Sequence, residues 1–409
     1  MRRTMYSTPH DGRRHDVRPI LDCTGYELWR DDVVRAEGVY LITANGKRIL
    51  DFESGVWCAG LGHAHPRIQS VLHTQIDRAT HLGYRVESAL AAEAAKAMLA
   101  TLPFPNGKCI FLASGSEAVE LAAQIARRIC EKPLLLGLAG AYLAAYGTTG
   151  RRTSDEWALF DWAACAECPK NANCDPGCPR LAEVPFERIS AFVFEPGNSG
   201  GLVKLPPRGP VRALASRVTE GEGFLVVDEV TTGLGRTGAW YGFQHYDLRP
   251  DLVALGKGLG NGYPVSAVAM RRSIGVDLEA SGFHYAQSHQ NDPLACAVAK
   301  EVLAVLRDER LVERSAKVGE WFLGELEALA ARHDAVRHVR GRGLMLVMEF
   351  EPDSRPSVVD VHRALLGRGF LVGCKPQASL LRFYPPLVIE EEEIRGLLAA
   401  LDLLLGGTA

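Results

Sequence analysis

Short apolar runs alternate with stretches of helical spacing through the middle of this 409-residue chain. That alternation predicts an α/β domain with a mainly parallel sheet. Four of the strand-like runs end on a polar residue. Cys109–Ala113 leads into Ser114, Ile189–Phe194 into Glu195, Phe224–Val227 into Asp228, and Leu252–Leu255 shortly into Lys257. Open α/β sheets bind ligands beyond the carboxyl ends of their strands. The four exits therefore predict one shared site built from distant segments.

Past residue 300 the pattern changes. Ala299–Leu311 and Val318–Arg332 have amphipathic helical spacing, Leu344–Phe350 has the pattern of a strand, and Val358–Leu366 that of a helix. Short strands are expected near Phe370–Gly373 and Leu380–Tyr384, then a final helix over Glu391–Leu405. These elements predict a second, smaller α+β domain. Val39–Phe52 reads as strand–turn–strand around Asn45 and Gly46, a hairpin dipeptide, and is placed with the smaller domain. The expected division is a joining N-terminal segment at 1–55, a large domain at 56–300 and a small C-terminal domain at 301–409.

Composition narrows the function. Lys and Arg (46) nearly balance Asp and Glu (49), giving a net charge of −3, and no long charge run argues for a nucleic-acid partner. No 18-residue apolar run occurs, so no membrane span is expected. The first 22 residues lack the apolar stretch of a signal peptide, and a cytoplasmic protein is expected. Ten cysteines in so long a chain do not make a secreted disulfide scaffold. Cys23, Cys58, Cys109, Cys130, Cys296 and Cys374 are scattered and read as packing thiols.

Three segments carry candidate chemistry. Ser114-Gly115-Ser116 stands at a strand-to-helix transition, where free N–H groups and the helix dipole suit a phosphate, although a serine there is more often a plain N-cap. Asp228 at a strand end is either a cap, an ion-pair partner, or a partner for a protonated ring nitrogen. Lys257 lies between Gly256 and Gly258 in apolar surroundings, and desolvation would favour its neutral amine.

Taken together, these residues resemble the class III (omega) aminotransferases, enzymes of fold type I that depend on pyridoxal 5′-phosphate (PLP). The likeness runs from about Gly38 to Glu391. Its most specific stretch is Val227-Asp-Glu-Val-Thr-Thr-Gly-Leu-Gly-Arg-Thr-Gly238, with Asp228 and Lys257 29 residues apart. Leu61–Pro66, Gly140–Tyr142, Asn291–Cys296, Arg340–Leu344 and Leu381–Pro386 follow in family order.

The resemblance implies an aspartate-aminotransferase-like large PLP-binding domain and a set of roles. Lys257 carries the cofactor as a Schiff base and shuttles the proton, while Asp228 pairs with the ring nitrogen. Tyr142 and Val230 cover the ring faces, and Ser114, Gly115 and Ser116 hold the phosphate. Ser288 reaches the phosphate of a neighbouring subunit, so a homodimer with interfacial sites is implied. Arg382 binds a substrate carboxylate, Glu195 neutralises that arginine when the substrate is an uncharged amine, and Val56 and Trp57 line the mouth. The implied activity moves an amino group between an amine or omega-amino substrate and a keto acid, with glutamate/2-oxoglutarate or alanine/pyruvate as the acid pair. An aminomutase, a racemase, a decarboxylating transaminase or a non-catalytic binding protein are the alternatives. The sequence departs from the family at Leu143, where a histidine is usual, and at Thr231, where a glutamine near the cofactor's phenolic oxygen is usual.

Cys165, Cys168, Cys174 and Cys178 fall within 14 residues rich in Pro, Gly and Asn. The segment is read as an insertion outside the general family pattern. With few large apolar residues it is expected not to order by packing. A bound metal, zinc or an iron–sulfur cluster, would order it; disulfides or free thiols are the other readings.

Overall fold

The structure, a computed structural model, describes residues 32–175, 177–197 and 200–406, together with Leu21, Cys23, Thr24 and Trp29. Most of the N-terminal stretch read for a signal peptide lies outside the described residues, as do Asn198 and Ser199.

Strands β1 (Val33–Glu37), β2 (Tyr40–Thr43) and β3 (Arg48–Asp51) form an antiparallel run. The β2–β3 hairpin turns where expected, with Gly46 at φ +80° supplying the left-handed position that the turn requires. β1 was not expected. Four of its five residues are exposed, so it carries no apolar alternation to read.

The large sheet contains β4 (Lys108–Leu112), β5 (Leu134–Leu138), β6 (Trp157–Phe160), β7 (Ile189–Phe194), β8 (Phe224–Asp228), β9 (Leu252–Leu255) and β10 (Ser266–Met270), in the order β4-β10-β9-β8-β7-β5-β6. Pairings are parallel except those of β10, which runs antiparallel to both β4 and β9. A short connection without a crossover helix returns the chain after β9, and that forces the reversal. Alternate strand residues feed two cores. Val226 and Ala254 pack with helix Gly115–Cys130, while Val227, Val253 and Leu255 belong to the core that also takes in helix Arg208–Glu220. Burial on both faces explains the continuous apolar runs.

The C-terminal strands are β11 (Val336–Arg342), β12 (Met345–Phe350), β13 (Phe370–Leu371), β14 (Gly373–Lys375) and β15 (Leu380–Phe383). Four of them make an antiparallel sheet in the order β11-β12-β15-β14. The expected strand at Phe370–Gly373 is two strands, and β13 leaves the sheet to pair in parallel with β3. β11 went unread because its Val-Arg-His-Val-Arg-Gly-Arg sequence is mostly polar and partly exposed. Helices Pro293–Asp308 and Leu311–Ala330 begin several residues before the expected starts. Residues 293–299 are all buried, so that part of the first helix has no polar stripe. Helix Glu391–Leu405 matches its expected span.

Candidate active site

The four polar strand exits converge as expected. Ser114 follows β4 after one residue and caps helix Gly115–Cys130, its Oγ accepting the Glu117 N–H at 3.2 Å. The N–H groups of Gly115 and Ser116 belong to the first turn of that helix, as a phosphate cradle needs. A Cβ on Gly115 would lie 2.6 Å from Cγ1 of Val230, so only glycine allows this approach. The Ser116 Oγ accepts the Ala145 N–H at 3.0 Å, which fixes the loop beside the cradle.

Asp228 closes β8 and is buried; its Oδ1 accepts the Val230 N–H at 2.9 Å. Burial, reinforced by the nearby Glu195 charge, raises the Asp228 pKa well above the ordinary value. Lys257 stands two residues past β9 with φ +38°, a left-handed backbone that costs a non-glycine residue of order 1 kcal/mol and recurs at active sites. Burial lowers its pKa, and Asp228 opposes that shift. Two groups whose charges are each disfavoured by burial thus face one another. A protonated ring nitrogen beside Asp228 would supply the counter-charge the carboxylate lacks, so the donor set fits PLP.

Thr231 does more than the sequence suggested. Its Oγ1 accepts a hydrogen bond from Lys257 Nζ at 2.9 Å, so the residue standing in for glutamine touches the lysine directly. Val230 is half-buried against Gly115, and Tyr142 is 52% exposed beside the cradle. Leu143 is buried in the core on the helix Gly115–Cys130 side, where it packs as an apolar residue.

The residues expected at the mouth sit in a left-handed turn at Ser54–Trp57, with all four residues at positive φ. Val56 is exposed, and Trp57 points inward against Tyr384, with ring centroids 4.8 Å apart. Lys257 Nζ and Arg382 Cζ each lie 5.1 Å from the centroid of the Trp57 ring. Arg382, on β15, is buried. It donates to the Glu53 carboxylate, Nη2 to Oε2 at 2.9 Å and Nε to Oε1 at 3.3 Å. Glu195, expected to neutralise Arg382 when the substrate is an uncharged amine, accepts the Tyr142 N–H at 2.8 Å and faces Asp228. Glu53 reaches Arg382 because the Tyr384 N–H, just past β15, bonds the Phe52 carbonyl at 2.7 Å.

Sequence reasoning also passed over Arg236. This buried arginine donates to the carbonyls of Leu344 (2.9 Å) and Pro385 (2.6 Å) and to the Ser54 hydroxyl (3.4 Å). Burial lowers its pKa to about 10. Its signal was its place within the Val227–Gly238 motif.

Ser288, expected at a neighbouring subunit's phosphate, and the four clustered cysteines lie apart from these residues. Ser288 is exposed on the loop before helix Pro293–Asp308. The four clustered cysteines are free thiols, and among the described residues no three of them lie within 4.8 Å of one another, as one shared ion requires. The expectation that their loop cannot order by packing is also corrected. Cys165 is buried in the main core with Cys174 and Cys178 packed against it. Gly209 locks the loop from outside: its N–H bonds the Asn171 carbonyl at 2.8 Å, and a Cβ there would strike that oxygen.

The family model for class III aminotransferases matches residues 26–142 and 165–405. The unmatched stretch inside those limits is 143–164, and the cysteine loop, read as lying outside the family pattern, falls within the match. The acetylornithine aminotransferase of Methanothermobacter thermautotrophicus is 31% identical over 373 residues, 90% of this chain and 91% of the relative. The ornithine aminotransferase of Bordetella pertussis is 32% identical over 417 residues, 98% of this chain and 97% of the relative. Among solved structures, the acetylornithine aminotransferase from Elizabethkingia anophelis superposes with a TM-score of 0.81 at 27% identity, covering 94% of this chain and 96% of the other. With its motifs in order and its strand exits converged on Lys257, the chain belongs to the class III aminotransferases and is a PLP-dependent transaminase of fold type I.

Proposed function

We propose that the chain transfers an amino group between an omega-amino substrate that also bears a carboxylate and a keto acid, in ping-pong order at one site. The carrying observation is the shared Trp57 ring. An amine presented to Lys257 has its far end beside Arg382, because both cations meet that indole. Relatives named for ornithine and acetylornithine, molecules with an amine at one end and a carboxylate at the other, support the same substrate class. Glutamate/2-oxoglutarate or alanine/pyruvate is the matching acid pair.

When bound, PLP supplies the electron sink. Asp228 would hold the ring nitrogen, Ser114, Gly115 and Ser116 the phosphate, and Val230 and Tyr142 the ring faces. Lys257 holds and moves the proton at the substrate carbon. Its lowered pKa leaves more of it neutral and able to act as a base. Thr231 orients Lys257 Nζ through its 2.9 Å contact. Arg382 receives the carboxylate, and Glu53 occupies the guanidinium when no carboxylate is present. Val56 and Trp57 form the entrance.

The working unit of this proposal is a homodimer with Ser288 at the partner's phosphate. Exposed Tyr84, Val86 and Tyr146 supply apolar surface for such a contact. Segment 56–300 brings Lys257 and segment 301–409 brings Arg382. A cytoplasmic setting accords with ten cysteines none of which is in a disulfide among the described residues.

Lys257→Ala tests the assignment. With an omega-amino donor and 2-oxoglutarate, formation of glutamate should fall by at least ~10³-fold while the circular dichroism spectrum stays unchanged. A variant that kept turnover would end the proposal. A racemase or mutase on this scaffold would give no glutamate from either protein.

A further inference from the structure

Away from Lys257, His81, His289 and Asp292 gather at one point. One ligand atom from each lies within 4.8 Å of the others, and they are the only such group of three among the described residues. His81 follows helix Pro66–Ile76, and His289 and Asp292 end the loop before helix Pro293–Asp308. His81 Nδ1 stands 3.6 Å from Asp292 Oδ1, and His289 Nδ1 stands 3.4 Å from Asp292 Oδ2. The two imidazoles lie with ring centroids 4.6 Å apart.

Asp292 is 6% exposed, and its Oδ1 has no hydrogen-bond partner. An unsatisfied buried carboxylate oxygen is costly. Gln287 Nε2 and Gln290 Oε1, in the same loop, are also buried without partners. Distances of 3.4 and 3.6 Å are long for hydrogen bonds. They suit two ligands of one ion: bonds of about 2.1 Å in a tetrahedron put ligand atoms about 3.4 Å apart. Two imidazoles and one carboxylate favour a borderline transition metal over calcium or magnesium.

We propose that His81, His289 and Asp292 bind a divalent transition-metal ion, zinc by preference, with at least one coordination position open. Both histidines are exposed on the single subunit. The ion joins the segment at residue 81 to the loop that carries Ser288 and Tyr285. Tyr285 donates to Glu117 Oε1 at 2.6 Å, on the first turn of the phosphate-cradle helix. The ion thereby fixes the cradle's outer wall. The role is positional and needs no redox step.

The test uses the full-length PLP-loaded enzyme, stripped with a chelator and dialysed against zinc. Because the cysteine loop is a second potential ligand set, His81→Gln/His289→Gln and Cys168→Ser/Cys174→Ser are measured beside the wild type. The histidine pair should lose about one equivalent of zinc per chain, as three fixed ligands predict, and the cysteine pair should retain it. Cobalt(II) in that site should show visible d–d bands without a thiolate charge-transfer band. Zinc should raise the melting temperature of the wild type and of the cysteine variant, and leave the histidine variant unmoved. Equal zinc in the wild type and the histidine variant would overturn the proposal, as would loss of all zinc in the cysteine variant or no zinc in the wild type. Asp292→Asn, which keeps both imidazoles, should bind less zinc than the wild type; equal binding would likewise overturn it.

Discussion

Glu53 lies against Arg382, the residue proposed to receive a substrate carboxylate. Two hydrogen bonds tie them, and burial raises the Glu53 pKa while Arg382 pulls it down. On the proposed reading, a substrate carboxylate competes with Glu53 for the guanidinium, whereas an amine without a carboxylate leaves the pair closed. In Glu53→Gln the competitor loses its charge. The KM for 2-oxoglutarate should fall roughly tenfold, about the worth of one charged hydrogen bond, while turnover of a simple amine donor should weaken. Unchanged values for both would remove Glu53 from substrate choice. A second expectation concerns pH. A lowered lysine pKa means the neutral amine is present at lower pH than for an ordinary lysine. PLP uptake by cofactor-free protein should therefore rise with pH and level off below the ordinary lysine range. A rise that continued to the ordinary value would contradict the desolvated Lys257. Lys257 and Asp228 were legible because both sit in compact local motifs. Glu53 was not, because it meets Arg382 across 329 residues of chain, and no local pattern marks a pair made only by the fold.

Elements were legible where burial imposes a period. β7, β9 and helix Glu391–Leu405 lie on their expected spans. The misses have the opposite character: β1 and β11 are too exposed to show alternation, and the first turns of helix Pro293–Asp308 are too buried to show a polar face. The cysteine loop misled for another reason. Its own composition lacks large apolar groups, yet the core it packs on is supplied by residues elsewhere in the chain. The join of β4 to helix Gly115–Cys130 depends on one missing methyl group. Gly115→Ala would press on Val230 at 2.6 Å. Overpacking of that kind typically costs about 1–3 kcal/mol, so PLP affinity should drop roughly 10–100-fold in a titration of the cofactor-free protein. Full affinity would show that the cradle tolerates a wider approach.

Across the molecule, three rings join parts of the chain far apart in sequence. Phe52 ends the N-terminal hairpin, Phe322 lies on helix Leu311–Ala330, and Phe383 closes β15; their centroids are 5.7–6.4 Å apart. All three are fully buried. Phe322→Ala should destabilise the fold by about 3–5 kcal/mol, read as a lower midpoint in chemical denaturation. A loss below about 1 kcal/mol would mean that the cluster repacks. Backbone contact adds to the joint: a Cβ on Gly319 would lie 2.2 Å from the Gly343 carbonyl carbon, and one on Gly343 would lie 2.3 Å from the Gly238 nitrogen. Arg236 binds the same region, satisfying the carbonyls of Leu344 and Pro385 and the hydroxyl at the mouth turn. For protein engineering this makes the entrance a poor target for isolated changes. A library varied only at residues 54–57 would disturb one end of a three-way support, and improved variants should accumulate second changes around 236, 344 and 385.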